Sequence, residues 1–273
     1  KNVIIIHIDT LGADHMGLYG YSRDTSPNLD RFSQESLVFD QAIAQAPWTL
    51  ASYASILTSQ YPSVHGLVER EPCMSFPKSA QGLAERKGCL SPSKLTLAEV
   101  LKEYGYKTGA FVGGGDLKSI FGFSQGFDVY IDNAYDPEKA FFDTTIPLAE
   151  EWMSQNKKSK FFLYLQGYDV HTPYHKPEPY DHMFAEPYRG ILADHTKVRL
   201  DYFESDPLSI LQYVRKLDNK PYLVRDDGTK ILLTSQDVDH IVSHYDGGIR
   251  YTDNLIQGFF ERLKEMGLYD NSI

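Results

Sequence analysis

Three side chains in this sequence carry reactive chemistry: the Thr49 hydroxyl, the Asp9 carboxylate and the His171 imidazole. Thr49 follows Ala46-Pro47-Trp48, and the proline fixes an extended approach. Leu50, Tyr53, Ala54 and Leu57 then recur at helical spacing, which places Thr49 at a helix N-cap. Free backbone N–H groups and the positive end of the helix dipole bind a tetrahedral oxyanion at such a position. A hydroxyl held there attacks the anion's central atom once a metal or a base takes its proton. The alternative is that Thr49 only caps the helix. Asp9 closes the run Val3-Ile4-Ile5-Ile6-His7-Ile8, a β-branched stretch that predicts a buried parallel strand. Open α/β sheets build their sites at the carboxyl ends of strands, where a carboxylate holds a hard divalent cation. The alternative for Asp9 is a solvated turn carboxylate. His171 follows the apolar run Lys160–Gln166, and an imidazole there suits protonation of a leaving group or donation to a substrate oxygen. The alternative is a structural histidine. Asp169 orients His171, reaches a metal, or forms an Asx turn.

The elements that must position these groups alternate between strands and helices. Strands are predicted at Val3–Ile8, Lys107–Val112 and Lys160–Gln166, the last two leading into Gly113-Gly114-Gly115 and into Asp169 and His171. Helices are predicted from Asn28 to Ser36, after Thr49, from Thr96 to a C-terminal Gly105, from Pro137 to Asn156, and from about Gln236 to Met266. Pro147 is expected to kink or split the fourth of these, and Gly247-Gly248 weakens the fifth locally. This alternation describes a three-layer α/β/α fold with a mostly parallel, doubly wound sheet. From His175 to about Thr234 the pattern weakens, and a lid or insertion is expected at about 175–234. Within it Tyr222–Arg225 and Ile231–Leu233, around Asp226-Asp227-Gly228, suit a small hairpin. Thr234 and Asp237 suit a capping box at the head of the last helix.

Other candidates have plainer readings. His7 lies inside a strand and reads as a core histidine, and His65 before Gly66 as a helix-terminal partner. His240 and His244 stand four residues apart on a helix; lacking a protease-type glutamate, they read as a polar face. The triple glycine reads as a tight turn, with no Walker or dinucleotide pattern around it. Cys73 and Cys89 permit one disulfide without demanding it. With 27 Lys plus Arg against 37 Asp plus Glu and no long basic run, no nucleic-acid partner is expected. No apolar run is long enough to span a bilayer. An acidic chain still handles an anionic substrate when cations supply the local positive charge.

Asp9-Thr10-Leu11-Gly12-Ala13-Asp14-His15-Met16-Gly17-Leu18-Tyr19-Gly20-Tyr21, followed by Ser26-Pro27-Asn28-Leu29-Asp30, resembles the opening motif of the sulfatases, within the alkaline phosphatase superfamily. Thr49 to Gly66 resembles that family's nucleophile motif, ending in Tyr61-Pro62-Ser63-Val64-His65-Gly66. Tyr168-Asp169-Val170-His171-Thr172-Pro173-Tyr174 and Tyr245-Asp246-Gly247-Gly248-Ile249-Arg250-Tyr251-Thr252-Asp253 resemble two further family segments, and all four stand in family order. The departures are specific. Thr49 stands where sulfatases carry the cysteine that becomes formylglycine, an aldehyde that threonine cannot form. Ala51 stands for the motif's proline and Tyr53 for its arginine. The family's Lys-x-His element is missing near Phe111–Gly115. Cys89-Leu90-Ser91-Pro92-Ser93-Lys94 imitates the formylglycine motif, with one residue too many before the proline, and reads as a loop turn.

The resemblance implies an alkaline-phosphatase-like fold and a metal-dependent hydrolase of a sulfate, phosphate or phosphonate ester. Thr49 and His171 are then catalytic, Asp169 binds substrate, and Asp9, Thr10 and Thr49 hold a divalent cation (Ca, Mg, Mn or Zn). Thr10 is the weakest of these donors, since many sulfatases have a second aspartate there. A threonine nucleophile also resembles the phosphoethanolamine- and phosphoglycerol-transferase branches, so transfer to an alcohol is the first alternative. A non-catalytic scaffold that keeps the fold is the second. The family's later Ser-Asp-His-Gly motif, which supplies further metal ligands, is absent. The 273 residues are therefore expected to form the N-terminal portion of a longer catalytic domain, weakly active or inactive alone. A small anionic ester is the implied partner, and a periplasmic or extracellular location fits the resemblance.

Overall fold

In the computed structural model the described residues are 1–68, 74–75, 86–133, 139–172, 174, 176–193, 215–217, 220–224 and 230–273. Cys73, Pro137, the turn at Asp226–Gly228 and about half of the expected lid at 175–234 lie outside them. The strands are β1 (Val3–Ile8), β2 (Met74–Ser75), β3 (Arg86–Lys87), β4 (Lys107–Phe111), β5 (Val129–Ile131), β6 (Phe161–Gly167), β7 (Arg215–Leu217), β8 (Lys220–Val224) and β9 (Lys230–Leu232). The helices are α1 (Pro27–Ser33), α2 (Thr49–Thr58), α3 (Pro62–His65), α4 (Leu97–Glu103), α5 (Phe142–Asn156) and α6 (Ser235–Glu265). They fall into two compact units: residues 1–9, 39–167 and 258–273, and residues 10–38 with 168–257.

The first unit holds the main sheet, in the order β1-β6-β4-β5, with every pairing parallel. Residues 271–273 continue it past β1: Ile4 N–H donates to the Ile273 carbonyl at 2.8 Å and Ile273 N–H to the Asn2 carbonyl at 3.0 Å. Strand alternation sorts the side chains of β6 onto two faces. On one, Tyr164 meets Tyr53 of α2 edge to face at 5.0 Å and Phe162 stacks on Phe127. On the other, Phe161 packs against Trp152 of α5. Trp152 also lies over Gly109 of β4, where any Cβ would come within 2.8 Å of the indole. Helices thus cover both faces, and the expected three-layer arrangement is present. β5 was not expected from the sequence.

Helix α4 starts on a capping box: the Glu99 N–H donates to Thr96 Oγ1 while the Thr96 N–H donates to Glu99 Oε2. Gly105 follows it at φ +79°, in the left-handed region expected of a residue that ends a helix. Helix α5 departs from expectation at its start, which is Phe142 and not Pro137, and of the two outcomes expected at Pro147 the split does not occur. Pro147 forfeits one helical hydrogen bond. The buried stripe Phe142, Thr145, Ile146, Ala149, Trp152 and Met153 keeps the helix continuous across that loss.

In the second unit Asp253 of α6 receives the backbone N–H groups of Asn28 and Leu29, at 3.1 and 2.8 Å, at the start of α1. Burial pushes the Asp253 carboxyl up, and these donors counter it. The Ser26–Asp30 motif thus docks the start of α1 on α6. The Thr234–Asp237 box is present at the head of α6, with Thr234 N–H donating to Asp237 Oδ2 at 2.7 Å. β8 and β9 pair antiparallel, as expected of the hairpin, and β7 adds a third strand. Among the described residues no helix is long and apolar enough to cross a membrane.

Candidate active site

Asp9 extends β1 by one residue, its N–H reaching the Gly167 carbonyl at 3.3 Å. The carboxylate is almost wholly buried, at 3% exposure. The Thr49 hydroxyl donates to Asp9 Oδ2 at 3.2 Å, so the two groups singled out from 40 positions apart meet.

Thr49 is not the N-cap. Trp48 takes that place with extended backbone (φ −150°, ψ 150°), and Thr49 is the first helical residue. No side chain caps α2, so the Thr49 hydroxyl is not spent on the helix's own N–H groups. The expected boundary is wrong by one residue, and the difference matters: the hydroxyl turns to a carboxylate instead of satisfying the backbone. Below it α2 is anchored by Leu50, Ala51, Tyr53, Ala54, Ser55 and Leu57, all buried.

Tyr53, standing where the resemblance has arginine, is a core residue. Its ring packs against Phe123, Tyr164 and His7, and burial pushes its phenol well up. It offers a substrate anion no positive charge. His7, expected in the core, is half-buried like the rest of β1; it is hydrogen-bonded to the Tyr164 hydroxyl at 2.9 Å and lowered by burial to about 4. His65 accepts the Leu67 N–H at Nδ1, which leaves Nε2–H to donate to Ser55 Oγ at 3.0 Å. It locks α2 to α3 and takes no catalytic part. The triple glycine is a tight turn: Gly113 N–H donates to buried Gln166 Oε1 at 2.9 Å, and a Cβ at Gly114 (φ +87°) would sit 2.5 Å from the Asp132 carbonyl. Cys89 is buried and disulfide-bonded, so its thiol is withdrawn from chemistry.

Thr10, Asp169 and His171 belong to the second unit. Thr10 is exposed at φ +59°, a conformation costly for a β-branched residue and one that collects at functional sites. Tyr245 holds this loop, donating to the Thr10 carbonyl at 2.8 Å and accepting the Gly12 N–H at 2.7 Å. His171 Nδ1–H donates to the Thr172 carbonyl at 2.6 Å, which leaves Nε2 out of that contact. Asp169 is wholly buried.

Sequence reasoning missed the centre of this unit. Asp246 of α6, fully buried, accepts from Arg23 Nη1, the Tyr21 hydroxyl and His15 Nδ1, each at 2.7 Å. Burial, and then the Asp246 contact, push the Tyr21 phenol up to about 12. The only signal was that acidic and basic residues cluster in motifs more than 220 positions apart.

The donors in the first unit fit a divalent cation. A buried carboxylate beside a hydroxyl is a pair of hard oxygens at a strand's carboxyl end, the chemistry such ions take.

The sulfatase family model matches residues 1–273. Mouse (Mus musculus) steryl-sulfatase is 35% identical over 109 residues, 39% of this chain and 16% of the relative. Among solved structures, the phosphonate monoester hydrolase of Agrobacterium radiobacter superposes with a TM-score of 0.66 at 18% identity, over 99% of this chain and 60% of that one. The periplasmic domain of EptC from Escherichia coli, solved in complex with Zn, gives 0.60 at 14% identity, over 97% and 59%. The chain thus spans about a sixth of the steryl-sulfatase and three fifths of the structural relatives. With the family model covering every residue, the parallel sheet capped on both faces, and Asp9 meeting Thr49 at its carboxyl end, the chain belongs to the sulfatase family.

Proposed function

We propose that this chain carries the nucleophile of a metal-assisted ester hydrolase, with Thr49 attacking the sulfur or phosphorus of a small sulfate, phosphate or phosphonate ester. The observation that carries the reading is the 3.2 Å hydrogen bond from a helix-terminal hydroxyl to a buried carboxylate. Thr49 Oγ1 bonds to the central atom as the bond to the leaving oxygen breaks, and its proton departs along the bond to Asp9 Oδ2. The leaving oxygen takes the Nε2 proton of a doubly protonated His171, a role assigned from its motif, while Nδ1–H stays on the Thr172 carbonyl. Water then hydrolyses the Thr49 ester and restores the hydroxyl. The first-turn amides of α2 offer their N–H groups to the substrate's oxygens.

Asp9 and Thr49, with exposed Thr10 as a weaker third donor, would hold a divalent cation (Ca, Mg, Mn or Zn). Such an ion lowers the pKa of a bound hydroxyl and offsets charge on the non-bridging oxygens. Asp169 was expected to bind substrate. Its complete burial favours the narrower role of holding the turn that presents His171. Threonine in place of the formylglycine precursor favours phosphorus esters over sulfate esters. The relatives' names are in keeping with an ester substrate, and the periplasmic neighbour with one met outside the cytoplasm.

The test is turnover of paired aryl sulfate, phosphate and phosphonate esters by the full natural-length protein, before and after chelation, with and without an alcohol acceptor. Metal-dependent phosphate or phosphonate turnover that vanishes in Thr49→Ala supports the proposal. Product appearing only on an alcohol acceptor makes the protein a transferase through the same nucleophile. Unchanged turnover in Thr49→Ala overturns the mechanism, and no turnover with any ester favours a scaffold.

A further inference from the structure

Helix α6 bears His240 and His244 one turn apart, and the pair is not the solvated polar face its spacing suggested. His244 is buried. The cause is a close approach at Gly247, where a Cβ would lie 2.2 Å from the Tyr180 carbonyl oxygen. Asn254 Nδ2 donates to the Tyr180 hydroxyl at 2.5 Å and the Tyr251 ring packs beside it, so segment 176–182 is held against the helix. That contact sets Asp181 and His182 against the turn that carries His244.

The resulting spacings are specific. His244 Nδ1 lies 3.4 Å from Asp181 Oδ1, and His182 Nε2 lies 3.5 Å from Asp181 Oδ2. One donor atom from each of the three side chains falls within 4.8 Å of the other two. Charge-assisted hydrogen bonds are shorter, at roughly 2.7–2.9 Å. Two ligands on a tetrahedral ion, each at about 2.0–2.2 Å, stand roughly 3.3–3.6 Å apart. Each histidine's distance to its nearer Asp181 oxygen, Oδ1 for His244 and Oδ2 for His182, falls in the second range. Exposure is graded from 4% at His244 through 14% at Asp181 to 63% at His182, which makes a floor, a wall and an open rim. Lys176 N–H donates to Asp181 Oδ1 at 3.2 Å and steadies the carboxylate, as outer partners of metal ligands do. The His240 ring, stacked on Tyr188 at 3.9 Å, packs against His244 edge to face and limits its rotation.

We propose that Asp181, His182 and His244 bind a zinc-type divalent transition-metal ion, independently of Asp9 and Thr49. Two imidazole nitrogens and one carboxylate oxygen are the ligands such ions take, while calcium and magnesium prefer all-oxygen sites. Exposed Glu178, whose Oε1 lies 3.5 Å from His182 Nε2, or water supplies the fourth position. The ion ties segment 176–182 to α6.

The experiment is titration of the full, chelator-stripped protein with Zn²⁺ by calorimetry and with Co²⁺ by visible absorption. Asp9→Asn serves as the background in which the other cation site is disabled. In that background, uptake of one equivalent of Zn²⁺ with a Co²⁺ d–d band, weakened at least tenfold by His182→Gln, supports the site. His182 is exposed enough for that variant to keep its fold, and His244→Gln should abolish the band. Identical titrations with and without the histidine substitutions, or a response to Mg²⁺ as strong as to Zn²⁺, overturn the proposal.

Discussion

The Thr49 hydroxyl and the Asp9 carboxylate meet across 3.2 Å, joining the first turn of α2 to the carboxyl end of β1. Because Trp48 is the N-cap, that hydroxyl contributes nothing to capping. Thr49→Ala should therefore lower turnover by roughly 10³-fold or more, while losing less stability than the about 1 kcal/mol of a deleted cap. Thr49→Ser should restore part of the activity. Steady-state kinetics beside a denaturant melt check this, and an inactive, clearly destabilised Thr49→Ala would assign the hydroxyl to the fold.

His171 is assigned to the leaving group, so its removal should be felt most where that group is poor. His171→Asn is expected to slow alkyl esters by roughly 10²-fold and activated nitrophenyl esters far less. Equal losses on both substrates would remove the proton-donor role.

Asp246 concentrates the stability of the second unit. Removing a wholly buried carboxylate leaves the Arg23 guanidinium, the Tyr21 hydroxyl and His15 without it at once. Asp246→Ala should cost about 3–5 kcal/mol, and Asp246→Asn less, read as a shift in the urea midpoint. A loss under about 1 kcal/mol in the alanine variant would show that water replaces the network.

His7 makes stability depend on pH. Burial lowers its folded-state pKa from 6.5 to about 4, so between those values the unfolded chain binds the extra proton. Stability from this group is therefore complete above about pH 6.5 and declines as the pH falls toward 4, by up to about 3 kcal/mol. His7→Gln should flatten that part of the Tm–pH curve, and a parallel curve would assign the acid sensitivity elsewhere.

Periodicity and punctuation made much of the fold legible. The β-branched run into Asp9, the aromatic run of β6 and the long helix before Gly267 all stand within a residue or so of where the pattern put them. Short β5 escaped because three residues carry no period, and α5 was misjudged because proline's local penalty was set against a buried stripe that only tertiary packing reveals. At the site, Asp9 and Thr49 were each legible from their own surroundings. Asp181 and His182 were not: nothing local ties them to a helix more than 60 residues on, and Gly247, the residue that permits the approach, read only as a helix weakener.

β1 is hydrogen-bonded on both edges, to β6 through pairs such as Val3↔Phe162 and to residues 271–273 on the other side. The two partners lie about 160 and about 270 positions further along the sequence, so β1 is completed long after it is made. Contacts of such high order close slowly, because the loop entropy is spent before the pairing energy returns. Until residues 161–167 are made, the nascent chain carries an unpaired β-branched strand, open to edge-to-edge aggregation. Asp9, at its end, meets the Gly167 carbonyl only once β6 has paired, which ties the surroundings of the Asp9–Thr49 contact to a long-range step of folding.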